Sequence, residues 1–219
     1  RPGTYYLRTP EAWPILARRL IRGETYTVKV TVLEGWRIED TAKLMEQVSI
    51  TPASDFIAAA KLAGAEGFLF PTTYFLEPYS DAADVVDEMR KTFERQWTKN
   101  LGMYPLPPGF DRKDIVTLAS IIERETSNKE EMPLVAGVYL NRLRKRWRLE
   151  ADPTVQFALG FWKKRILYKD LKIDSPFNTY KYFGLPPGPI CSPGLASLTA
   201  ALLAQQTDAM YFISNGDGT

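Results

Sequence analysis

Residues 114–126 read DIVTLASIIERET. On a helix, positions i, i+3, i+4 and i+7 share a face. Ile115, Leu118, Ile121 and Ile122 form such an apolar stripe, and the next member in register is Glu125. Glu123 instead continues Val116, Ala119 and Ser120, a smaller and more polar side. The spacing predicts a helix over about 114–126, capped by Asp111 or Asp114, with Glu125 facing the interior or a cleft and Glu123 nearer the rim. A carboxyl walled by Leu and Ile loses hydration in its charged form, so its pKa rises and it can serve as a general acid. A plainer reading stands beside this one: the stripe ends where the helix meets solvent, and Arg124 or a nearby lysine pairs with either carboxylate.

Outward from this helix, the chain alternates short elements with Pro-rich connections. Residues 10–22 have helical spacing and stop at Gly23. In YTVKVTV, Tyr26, Val28, Val30 and Val32 alternate with polar residues, the period of a half-buried strand. Ile38, Ala42, Met45 and Val48 mark a helix, and another is expected over 54–63 with Ser54 as its cap. Residues 64–80, rich in Gly, Pro and aromatics, read as an extended connection, and Ser80 opens the next helix. Helices are also expected over about 132–146 and 194–204, and MYFIS at 210–214 reads as a strand. The pattern is α+β: a small N-terminal unit followed by a mainly helical domain with short strands.

Composition narrows the chemistry. The chain has 219 residues, enough for a sizeable core, and contains no histidine, which excludes Ser-His-Asp and Cys-His schemes and histidine zinc sites. Acid-base chemistry must come from Asp, Glu, Lys or Tyr. Cys191 is the single cysteine and reads as a packing residue. The net charge of +2 points away from nucleic acid, although residues 142–148, RLRKRWR, carry five basic residues and a tryptophan. That run is either a solvated helix face or a contact to anionic groups of a ligand. No window approaches the length of a transmembrane helix. The abrupt start at Arg1 and stop at Thr219 read as a piece of a longer protein.

Several long stretches occur together in order: EGFLFPTTYFLEP, LASIIERET, VAGVYLNRLRKRWRLEADPTVQFALG and SPFNTYKYFGLPPGPICSPGLASL. They resemble the endolytic murein transglycosylases of bacteria. The strand followed by EGW is similar to that family's LysM-like subdomain. The resemblance implies an N-terminal region of residues 1–66, with the LysM-like subdomain at about 24–64, and a transglycosylase catalytic domain over 67–219. It also implies a single-pass protein of the bacterial cell membrane, held by an N-terminal anchor outside this chain. The catalytic domain would face the periplasmic or extracellular side. The substrate would be the glycan strands of peptidoglycan, cut at the MurNAc-β-1,4-GlcNAc bond to leave 1,6-anhydroMurNAc ends. Such cuts terminate or trim nascent strands, with peptidoglycan synthases or the elongation and division machinery as partners. No cofactor and no metal are implied.

In lytic transglycosylases the catalytic glutamate directly precedes a hydroxyl residue. Glu125-Thr126 fits that pattern and Glu123-Arg124 does not. Asp152-Pro153-Thr154 either begins a turn or lines the cleft, and Gln156 is either a sugar-contacting amide or a helix-surface residue. Asn178 can bond an acetamido group or orient the glutamate, and Tyr180 can stack on a sugar; otherwise they form a polar turn. Asn141 and Arg142 either frame the site or decorate a helix. Two alternatives remain beside a lytic enzyme: a hydrolytic muramidase using Asp152 as a second carboxylate, and an inactive glycan-binding wall protein.

Overall fold

The computed structural model describes residues 4–5, 12–23, 25–163 and 165–212. Helix α1 (Trp13–Arg22) ends as expected at Gly23, whose left-handed backbone (φ 64°) turns the chain. Strand β1 (Val28–Thr31) is shorter than the alternating run, and α2 (Ile38–Gln47) and α3 (Ala53–Leu62) follow. Ser54 does not cap α3: Pro52 occupies that position, and the Ser54 hydroxyl bonds Asp55 instead. Proline fits here because it supplies the extended backbone and has no N–H to satisfy.

The stretch expected to be a plain connection contains β2 (Thr73–Leu76), which pairs antiparallel with β1, Val30 opposite Tyr74. Val30, Val32, Ile38, Met45, Phe56, Leu69 and Tyr74 form one buried cluster beneath this hairpin-like pair. The long helix α4 (Ala82–Asn100), capped by Asp81 rather than Ser80, ties this cluster to the next. Val85, Val86 and Met89 pack in the first core, whereas Phe93 and, at its margin, Trp97 pack in the second. The expected boundary between 66 and 67 therefore falls inside the first core, because β2 and half of α4 complete it.

The second core is built around α5 (Arg112–Glu125). Asp111 and Asp114 cap it reciprocally: the Asp114 N–H donates to Asp111 at 2.8 Å, and the Asp111 N–H to Asp114 at 2.9 Å. Every residue from Ile115 to Ile122 is buried. Helices α6 (Met132–Arg144), α7 (Asp152–Leu159) and α8 (Leu195–Leu202) surround it, and a 3-10 turn at Asp170–Lys172 braces the loop between α7 and α8. Residues 210–212 form no strand, and 213–214 of the expected MYFIS strand lie outside the described residues. Among the described residues no helix is long and apolar enough to cross a membrane.

Candidate active site

The last turn of α5 delivers both glutamates, each half-buried, to the surface of the second core. Val116, Ala119 and Ser120 are as fully buried as the Ile and Leu stripe, so both sides of the helix face protein. Glu123 accepts the Gly194 N–H at 2.9 Å and the Ser197 hydroxyl at 2.6 Å, which pins the start of α8. A Cβ at Gly194 would meet the Glu34 carboxylate, which would have to swing aside. Glu123 is half-buried beside the start of α8.

Glu125 meets α6 and α7 instead. Its Oε1 accepts the Tyr139 hydroxyl at 2.6 Å, and Tyr139 itself is 1% exposed. Burial pushes the Glu125 carboxyl above its ordinary range, and the nearby Asp152 charge adds to the rise. The Tyr139 hydrogen bond and the Arg142 guanidinium oppose it, since both favour the ionised form. Tyr139 is driven up strongly by its own burial and then by the Glu125 charge, so its proton stays on the phenol and is offered to Glu125.

Asp152, at the first turn of α7, is exposed and accepts the Tyr180 hydroxyl at 2.6 Å. Burial and the Asp152 hydrogen bond both raise the Tyr180 pKa, and the Glu125 charge is felt there too. Glu125, Tyr139, Asp152, Tyr180 and Arg142 therefore form one electrostatically connected group. Its chemistry is that of a carboxylic acid whose protonated form is favoured by desolvation, one hydroxyl donor on it, and a second carboxylate within electrostatic reach.

Other expected site residues do different work. Asn178 is 0% exposed, with both amide hydrogens on the Leu171 and Ile173 carbonyls and its oxygen taking the Tyr180 N–H. It has no donor left for a sugar and instead sets the backbone from which Tyr180 projects. Thr154 is sealed between the Ala151 carbonyl and the Thr179 hydroxyl. Gln156 accepts the Lys163 N–H at 2.8 Å and holds a loop. Thr126 closes α5, bonding Glu131 and accepting the Asn128 N–H. Cys191 is fully buried, as a packing residue should be. Tyr139 was not singled out by sequence; its signal was one phenol among the apolar residues of VAGVYL. Among the described residues no group of carboxylates or cysteine is placed to hold a metal ion.

The YceG-like family profile matches residues 1–219. The chain belongs to the YceG-like family. A Bacillus subtilis protein called endolytic murein transglycosylase is 34% identical, covering 99% of this chain and 67% of its own length. A Streptococcus pneumoniae protein of the same name is 30% identical over 89% of the chain, which spans only 35% of that relative. The crystal structure of a yceG-like protein from Listeria monocytogenes superposes with a TM-score of 0.73 at 29% identity, covering 96% of this chain and 78% of that one. The α+β arrangement is thus a YceG-like fold.

Proposed function

We propose that this chain is the catalytic part of a lytic transglycosylase that cuts peptidoglycan glycan strands internally, leaving 1,6-anhydroMurNAc ends. The family membership and the names of its relatives support the enzyme class and the murein substrate. The observation that carries the mechanism is Glu125: half-buried and desolvated, raised in pKa, and hydrogen-bonded by Tyr139. Protonated, Glu125 gives its proton to the glycosidic oxygen as the bond to the muramyl anomeric carbon breaks. The muramyl 6-hydroxyl then attacks that carbon, and the ionised Glu125 takes its proton. Every proton is returned, no water enters, and the attack is intramolecular, with a high effective concentration. Tyr139 steadies the carboxylate between the two steps, when it is charged.

The enzyme works where murein lies, outside the cytoplasmic membrane. A membrane anchor beyond this chain and partnership with peptidoglycan synthases or the division machinery complete the reading. The unit β1–α2–α3–β2 is assigned the LysM-like role. A second reading rests on Asp152, close enough to raise Glu125: two carboxylates suit a hydrolytic muramidase. Mass spectrometry of products from purified murein separates them. Anhydro ends support lytic cleavage, reducing ends support hydrolysis through Asp152, and intact strands overturn both.

A further inference from the structure

Beside the proton-transfer group, the segment 145–150 carries two non-glycine residues in left-handed backbone, Arg146 (φ 54°) and Glu150 (φ 51°). Each costs on the order of 1 kcal/mol and persists only where surroundings enforce it. Two buried side chains of α6 do the enforcing. Arg142, 7% exposed, donates to the Leu149 carbonyl at 2.6 Å and to the Met210 carbonyl at 2.8 Å. Asn141 donates to the Thr207 and Ala209 carbonyls at 2.6 and 3.0 Å. These bonds staple 147–150 and 207–210 against each other, which answers what Asn141 and Arg142 frame.

Between the stapled segments lies an open cavity of about 320 Å³ lined by Trp147, Arg148, Glu150, Phe183 and Tyr211. Its three aromatic rings remain 45%, 64% and 65% exposed, in that order along the chain, although burial would be favourable for each. The Trp147 and Tyr211 rings stand 5.9 Å apart, Arg148 lies over Phe183 at 4.9 Å, and Arg142 lies over Tyr211 at 5.2 Å. A short chain of contacts links the groove to Glu125. Phe212, next to Tyr211, packs its ring on Tyr139 at 5.7 Å, and Arg142 is the cation that Glu125 senses.

We propose that this groove is a glycan subsite. Sugar rings of the strand that continues from the cleavage point stack their C–H faces on Trp147, Phe183 and Tyr211. The inference rests on the reading of the chain as a strand-cleaving enzyme. A pyranose presents an apolar face and a polar edge, and the groove offers rigid aromatic walls with Arg148 and Glu150 as hydrogen-bonding groups at their margins. A nucleic-acid strand fits less well, because Glu150 would repel its phosphates.

The test measures binding of peptide-free murein strands to Glu125→Gln protein, alone and combined with Phe183→Ala or Trp147→Ala. Phe183 is largely exposed and Trp147 nearly half exposed, and thermal unfolding verifies that each truncated protein keeps its fold. Each truncation is expected to weaken binding about tenfold, the scale of one lost aromatic stacking contact. In the otherwise native enzyme each raises KM by more than it lowers kcat. If the native enzyme cleaves strands while both truncated proteins bind and turn over strands normally, the groove is not a subsite and the activity stands. If the native enzyme cleaves nothing and Glu125→Gln protein binds no strands, the activity itself is overturned and the subsite with it.

Discussion

On one side of the last turn of α5, Glu123 lies beside the start of α8, with its Oε2 taking both a backbone N–H and a serine hydroxyl. On the other, two residues later, Glu125 takes one phenol hydrogen bond and looks toward Asp152 and Tyr180. Burial raises the pKa of both. What differs is the partner set. A carboxylate that anchors a helix start through one oxygen cannot swing toward a substrate without releasing that helix. One held by a single hydroxyl can, and the comparison teaches that a raised pKa marks desolvation, while the free valence of the group marks chemistry.

The sharpest way to break this contrast is to neutralise each glutamate in turn. Glu125→Gln keeps the shape and removes the proton; strand cleavage should fall by about 10³-fold or more, the range of a lost general acid-base group, with little change in thermal unfolding. Glu123→Ala should do the reverse. It leaves the Gly194 N–H unsatisfied, while the Ser197 hydroxyl keeps only the Gly194 carbonyl, at a cost of about 2 kcal/mol in stability, and activity measured well below the midpoint persists. Cleavage assays and unfolding curves on the two variants decide it; exchanged outcomes would reassign the acid to Glu123.

A smaller effect is expected at Tyr139. Phe in its place keeps the buried ring and deletes the donor, so turnover should fall about tenfold, the scale of one hydrogen bond to a charged group. The pH profile carries the more specific signal. In the proposed mechanism the free enzyme presents protonated Glu125, so kcat/KM should decline as pH rises through the raised pKa. Without the Tyr139 bond the ionised form is less stable, the pKa climbs further, and the alkaline limb should move to higher pH. An unmoved limb in Tyr139→Phe would detach Tyr139 from the proton transfer.

What could be read from sequence follows from where the signals are local. The α5 helix was legible because its caps lie three residues apart and its apolar positions adjoin in sequence. β1 was legible through its alternation. β2 was not, since TYFL sits in a Pro- and aromatic-rich run and its partner lies over forty residues away. Register did not show that the side of Val116, Ala119 and Ser120 is buried as well: in a helix surrounded by other helices the small polar side also packs, and Ser120 spends its hydroxyl on the Thr117 carbonyl and accepts the Ile190 N–H. Asn178 and Thr154 looked like ligand-binding groups for a related reason. A Pro-rich loop packed against a core must satisfy its own backbone, and short polar side chains are what does so. The hydroxyl on Glu125 came from another helix, beyond the reach of any local pattern.

Glu66 offers the finest test of the comparison, because it is desolvated as strongly and lies away from the proton-transfer group. It follows α3, accepts the Ile38 N–H at 3.4 Å, and leaves its other oxygen buried without a hydrogen-bond partner among the described residues. It lines a cavity of about 410 Å³ with Arg37, Lys61, Lys113 and Phe157, between the first core and the second. Burial pushes its pKa from 4.5 up to about 7. The folded state therefore prefers the protonated form more than the unfolded chain does, and stability is lost as pH rises from the unfolded value toward the folded one. Relative to Glu66→Gln, which has no proton to lose, the native protein should give up about 1 kcal/mol between roughly pH 5.5 and 6.5, read from denaturant unfolding. Cleavage rates of the two proteins should coincide, since no proton of Glu66 enters the reaction. Parallel stability profiles would show that Glu66 is solvated despite its burial; a changed cleavage profile would show that a desolvated carboxyl outside the Glu125 group shares in the chemistry.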